Sequence, residues 1–241
     1  MRTIPRILVA VIAVMLIAPT AAAADQGKGS GDGHPAVVPA VNVGGNTGGA
    51  LVGDWYAQNL ALPAKKSPFG GTDNLCLNLG RHGRVLSPAG GLEVNKTIEM
   101  SCTVEVGRPV LMVMTSADCS SAEPPDYFGG TAAEQRACAV NFVKTTLVIT
   151  SITVSVDGSR PVDIHSPRFF AVSPQRHTVF DADPVFGATP GPATFVAAGW
   201  IAEIRGMHRG HHVVVAKATI KGYDLIPFIV HFNVVGGGPG E

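Results

Sequence analysis

The chain is 241 residues long, and Lys plus Arg equals Asp plus Glu at 18 each, a formal net charge of zero at neutral pH. Charged residues are only 15% of it, and positive charge gathers nowhere beyond Lys65-Lys66 and Arg205 to Arg209, so the basic patch that a nucleic-acid partner requires is missing. A balance this close to neutral says nothing about the charge of a substrate.

In chain order, the amino terminus carries Arg2 and Arg6, the apolar run Ile7 to Ala18, then Pro19 and Ala21-Ala22-Ala23-Ala24 before Asp25. This is the charged, apolar and small-residue succession of a cleavable export signal, over residues 1–24. The apolar run is about 12 residues, short of the roughly 20 that a spanning helix needs, and no later run reaches that length. The first cysteine is Cys76, so a lipid anchor has no attachment point behind the apolar run. The expected product is secreted, extracellular or associated with the cell envelope, with no membrane span after cleavage. Residues 25–49, rich in Gly and Pro without hydrophobic periodicity, read as a flexible linker. Residues 50–235 read as one domain and 236–241 as a loose tail.

Within the domain, Leu51, Val52 and Trp55 form an apolar stripe on a helix from about Ala50 to Leu60. Strands are expected at Leu75 to Leu79, Arg84 to Ser87, Thr97 to Val106 and Pro109 to Thr115. In the third of these Ile98, Met100, Cys102, Val104 and Val106 alternate with polar residues, which turns Cys102 inward. Thr131 to Glu134 is a capping box, opening a helix through about Lys144. Val148, Thr150, Ile152, Val154 and Val156 line one face of a strand that runs into Asp157-Gly158, a hairpin-turn signal, and returns through Val162 and Ile164. Further strands fall at Arg168 to Val172, Ala193 to Ile204 and His211 to Ile220, and around Phe228, Val230, Phe232 and Val234. No internal repeat appears. Short strands punctuated by turns predict a mainly all-β domain, an antiparallel β-sandwich or jelly-roll-like fold with one or two short helices.

Cys76, Cys102, Cys119 and Cys138 are an even set without the C-x-x-C spacing of a zinc site, which predicts two disulfides. Of the three pairings, Cys76 with Cys102 and Cys119 with Cys138 are favoured as sequence neighbours, each closure contributing roughly 3 kcal/mol in the loop-entropy picture.

Several stretches carry a family resemblance: Trp55 ahead of Pro63 to Phe69, the Cys76 strand, Ser101-Cys102-Thr103-Val104, Ala117-Asp118-Cys119-Ser120, Ala133 to Ala139, Val156-Asp157-Gly158, Gly199-Trp200 and Gly210 to Val214. Together they resemble a group of uncharacterised secreted bacterial, actinobacterial-type β-rich proteins with four cysteines. The resemblance covers most of residues 50–235 and departs at Gly199-Trp200, where a Gly-Tyr-Trp-like step is more usual. It implies secretion, the disulfides and a β-rich fold, and it brings no established activity.

Candidate sites are few. His208, His211 and His212 fall in one stretch, and neutral imidazoles bind zinc or copper. Neighbours on a strand point to opposite faces, so His208 with His212 is the candidate metal pair, with His165, His177 or His231 as further ligands. Asp181 and Asp183 offer carboxylates to calcium without the other oxygens of a full loop. Tyr127-Phe128, between Pro124-Pro125 and Gly129-Gly130, is the aromatic pair best placed to meet a ligand. No nucleophile elbow is present. The acids Glu93, Glu99, Glu105, Asp118, Glu123, Asp126, Glu134 and Glu203 read as solvated strand faces or cap and loop residues, not as a glycosidase pair. The expectation is a secreted, non-enzymatic module that binds a ligand, polymer or protein partner and needs no cofactor. The alternative is a metal-dependent or hydrolytic extracellular enzyme using His208, His212 and an acid from another strand.

Overall fold

The computed structural model describes residues 34–70, 73–90, 97–220 and 226–236. The expected export signal, the first part of the expected linker and nearly all of the expected tail lie outside these residues. The strands are β1 (Ala36–Pro39), β2 (Asn42–Val43), β3 (Asn46–Thr47), β4 (Leu75–Leu79), β5 (Val85–Ala89), β6 (Ile98–Glu105) and β7 (Val110–Ser120). They continue with β8 (Ile149–Val156), β9 (Val162–Asp163), β10 (Phe170–Val172), β11 (Arg176–Phe180), β12 (Gly191–Arg205), β13 (Gly210–Ile220) and β14 (Ile226–Val235). Helix α1 (Gly48–Leu60) precedes β4, and α2 (Ala132–Asn141) precedes β8.

One sheet runs β1-β12-β7-β5-β4, with β10 and β11 also paired to β12; the other runs β6-β14-β13-β8-β9. The alternation of β6 holds through Met100, Cys102 and Val104, which are buried, whereas Val106 lies past the strand's end and is exposed. These three join Ile152, Val154, Val214, Val230 and Phe232 of the same sheet, and they pack on Met112, Trp200, Ala202 and Ile204 of the other. The opposite face of the first sheet carries α1: Leu51, Val52, Trp55 and Leu60 meet Leu111, Val113, Phe195 and Ile201. The result is a two-sheet sandwich with a helix on the outside of one sheet, so β12 is buried on both faces along most of its length.

Sequence pattern and structure part in a few places. The sheets are mixed rather than purely antiparallel, because β14 pairs with β6, and β5 with β7, in parallel. The chain leaves the second sheet after β6 and returns last as β14, which lies between β6 and β13 and runs the same way as β6, and alternation along a strand carries no information about direction. Part of the stretch read as linker is a strand, since Ala36–Pro39 pairs with β12 from Arg205 to Ala202. Four residues are too few to show a period. Strand β11 goes unforeseen because it buries Thr178 and leaves Val179 59% exposed, against the usual polarity. Strand β7 runs on past Thr115 to Ser120.

The local signals that held have visible causes. In α2 the Thr131 hydroxyl accepts from the Glu134 amide while the Glu134 carboxylate accepts from the Thr131 amide, satisfying donors that a helix start leaves free. This helix ends at Asn141, and a π-helical turn over Phe142–Thr146 replaces its expected last turn. The hairpin turn has Asp157 at φ 51° and Gly158 at φ 71°, the left-handed pair that a tight two-residue turn requires. Strand β8 starts only at Ile149, because Val148 stands at φ 45° and is exposed. The disulfides are Cys76–Cys102 and Cys119–Cys138. The first joins the two sheets through β4 and β6, and the second joins β7 to α2.

Candidate functional site

Strand β7 carries a β-bulge. Val113 pairs with Ile201 and Ser116 with Gly199, so Met114 and Thr115 together stand opposite Trp200. The extra residue changes which parity of the strand faces α1: Leu111 and Val113 ahead of the bulge, Ser116 and Asp118 beyond it. Bulges re-aim side chains in this way. Gly199 makes room for it, since a Cβ there would lie 2.4 Å from Ser116 Cβ and 2.9 Å from its Cα.

Beyond Asp118 the strand ends in a turn held by Ser120, whose hydroxyl accepts from the amides of Ala122 and Glu123 at 3.2 and 3.1 Å. The turn folds Glu123 back so that its carboxyl lies against that of Asp118 and the two influence each other's titration. Both side chains are almost wholly buried, at 4% and 6% exposure. They line a cavity of about 530 Å³ between α1, β7 and the facing edge of the second sheet. The wall includes seven aromatic rings, those of Trp55, Tyr56, Phe69, Tyr127, Phe142, Phe186 and Phe228, with Ile98, Ala218 and Ile220 from the second sheet. Phe69 stacks on Tyr56 at 5.4 Å and meets Phe186 at 5.0 Å. Phe186 sits at φ 57°, a conformation costly for a bulky residue.

Burial raises the Asp118 carboxyl well above the carboxylate range, and the charge of Glu123 adds to that. Burial also pushes Glu123 up to about 7, against the opposing pull of hydrogen bonds from Ser120 and Asp118. The two acids titrate as one coupled pair, in which burial favours keeping a proton above the ordinary carboxylate range. Among the described residues, no protein donor reaches Asp118 Oδ2 or Glu123 Oε2. The Tyr56 hydroxyl pairs with Ser116 Oγ at 3.0 Å, and burial, then the charge of Asp118, drives its ionisation well above the ordinary range. The phenol is therefore neutral throughout the physiological range.

Of the residues singled out in the sequence, Tyr127 lines this cavity and rests on Phe142 at 5.0 Å, whereas Phe128 points outward, 51% exposed. His208 and His212 do meet, with ring centres 4.8 Å apart. However, His212 Nδ1 bonds Asp157 Oδ2 at 2.6 Å and Nε2 bonds the His208 carbonyl at 2.8 Å. Both ring nitrogens of His212 are thus already taken up by protein acceptors, and neither faces an open position for a metal. Among the described residues no group of three or more His, Cys, Asp or Glu side chains is arranged to hold a metal ion. His231 lies on the outer face of the second sheet, bonded to His211 and to Glu99; His165 packs on Trp200. Asp181 accepts from the Asp183 amide in an exposed turn. A shallow depression of about 380 Å³ over Ser121, His177 and Thr194 gathers no converging charges.

The reading of Asp118 and Glu123 as solvated residues is corrected. It failed because the bulge breaks the alternation just where Asp118 would have been assigned a face. No family model matches the chain, and no curated protein matches it. Among solved structures, the solution structure of amebosin is similar at 12% identity over 59% of this chain and 90% of that one, with a TM-score of 0.22. A likeness at that level carries no argument.

Proposed function

We propose that the protein is an exported, non-enzymatic binding module whose ligand is a small, mostly apolar molecule seated in the cavity. The observation that carries this reading is the composition of one space: about 530 Å³ walled by aromatic rings, with a single buried carboxyl pair. Small-molecule sites have that size, roughly 300–1,000 Å³, and that mixture of apolar wall and few convergent polar groups. Two disulfides support export, since such bonds persist in oxidising compartments. Among the described residues no helix is long and apolar enough to cross a membrane.

Trp55 in the cavity wall is the natural reporter. Titrating the oxidised protein with apolar small molecules is expected to change its fluorescence and raise the melting temperature, by about 2.7 kcal/mol of stability at a hundred times the dissociation constant. Ala218→Phe, which fills the cavity from the second sheet, is expected to abolish both responses. A panel without response, or full binding by the filled variant, would overturn the reading.

A second reading has its own support. A coupled carboxyl pair, with Asp118 raised well above the carboxylate range and Glu123 pushed up to about 7, has the make-up of a general acid and base. Turnover of chromogenic esters, amides or glycosides that vanishes in Glu123→Gln would favour an enzyme at this pair, rather than at His208 and His212.

A further inference from the structure

We propose that the occupant of the cavity carries a protonated amine on an otherwise apolar body, with its ammonium against the Asp118 and Glu123 carboxyls. This rests on the cavity being a ligand site, as proposed above.

The first support is a surplus of acceptors. Both side chains are more than nine-tenths buried and line the cavity, yet among the described residues no protein donor reaches Asp118 Oδ2 or Glu123 Oε2. Buried acceptors left open are costly, and an ammonium offers three donors with no acceptor of its own.

The second is missing countercharge. Among the described lining residues none is Lys, Arg or His, and the other titratable groups there are the phenols of Tyr56 and Tyr127. Among the described residues, an ionised Glu123 therefore stands in an apolar wall with no cation beside it, a situation that a bound cation relieves.

The third is the wall itself. The faces of Trp, Tyr and Phe attract cations through their quadrupoles, so the rings and the acids select the same sign. A carboxylate ligand meets repulsion from both, and an alcohol fills one lone pair while leaving the charge uncompensated.

The test compares three ligands that share one apolar body: decylamine, decanol and decanoate, titrated into the oxidised full chain at about pH 7.5, where Glu123 is mostly ionised. The amine is expected to bind about tenfold more tightly than the alcohol and about a hundredfold more tightly than the carboxylate. In the isosteric double variant Asp118→Asn with Glu123→Gln, amine and alcohol are expected to agree within about twofold. Where the double variant does not fold, Glu123→Gln alone serves, with circular dichroism confirming its structure. Equal binding of alcohol or carboxylate, or a preference that survives the substitutions, overturns the amine assignment and leaves the cavity reading intact. Binding of none of the three overturns the cavity reading, and the assignment falls with it.

Discussion

Both cavity carboxyls hold their protons to higher pH in the folded chain than in the unfolded one, because burial penalises the charged form. Between about pH 4 and about pH 7 the native state therefore binds more protons than the unfolded state, and stability falls as pH rises through that window. For Glu123 alone, moved from 4.5 to about 7, the loss is on the order of 3 kcal/mol. Asp157 works in the other direction. Desolvation pushes it up, but the hydrogen bonds from His212 and the Val213 amide, with the charges of His212 and His208, outweigh that and lower it. Its contribution is present above about pH 4 and is lost as pH falls through its lowered folded value; its partly exposed position keeps that contribution small. The melting temperature is thus expected to peak between about pH 4 and pH 5 and to decline towards pH 8. Glu123→Gln should flatten the alkaline limb and leave the acid limb in place. An alkaline limb as steep in the variant as in the wild type would contradict this assignment.

Among the elements, the bulge in β7 positions the site and Gly199 permits the bulge. Gly199→Ala places a methyl group against the backbone of Ser116, and neither strand can retreat, because β12 is packed on both faces. The expected cost is about 2–4 kcal/mol, read as a lower urea midpoint with an unchanged slope. Loss of the Tyr56–Ser116 hydrogen bond and weaker cavity binding should accompany it. What the sequence made legible follows from the range of each signal. The capping box of α2 and the Asp157-Gly158 turn are set by neighbours within four residues, and both formed as read. The carboxyl pair depends on a register shift between β7 and β12, strands separated by about seventy residues, and alternation within either strand does not contain it. The same limit hid the parallel pairings and the partnership of His212 with Asp157, 55 residues apart.

At the scale of the whole molecule, the disulfides flank the cavity on two sides. Cys76 pairs across β4 and β5 with Pro88, a wall residue, and its partner Cys102 lies on the strand that begins with Ile98, another wall residue. Cys119 follows Asp118 directly. Their loops of 26 and 19 residues predict a loss of about 3 kcal/mol for either bridge removed. Cys102→Ser should leave a free thiol at Cys76, detectable by labelling, and should weaken ligand binding by loosening one sheet from the other. Labelling at Cys119 or Cys138 instead would contradict the pairing.

The bridge between the sheets also gives the cavity a history. On the binding reading proposed above, a chain with Cys76–Cys102 reduced keeps its sheets together by packing alone and is expected to hold ligand more weakly than the oxidised chain. Forming the bridge is then expected to tighten the site in the same step that locks the fold. The direction reverses as well: on that reading, reduction of Cys76–Cys102 is expected to release bound ligand before the rest of the structure melts.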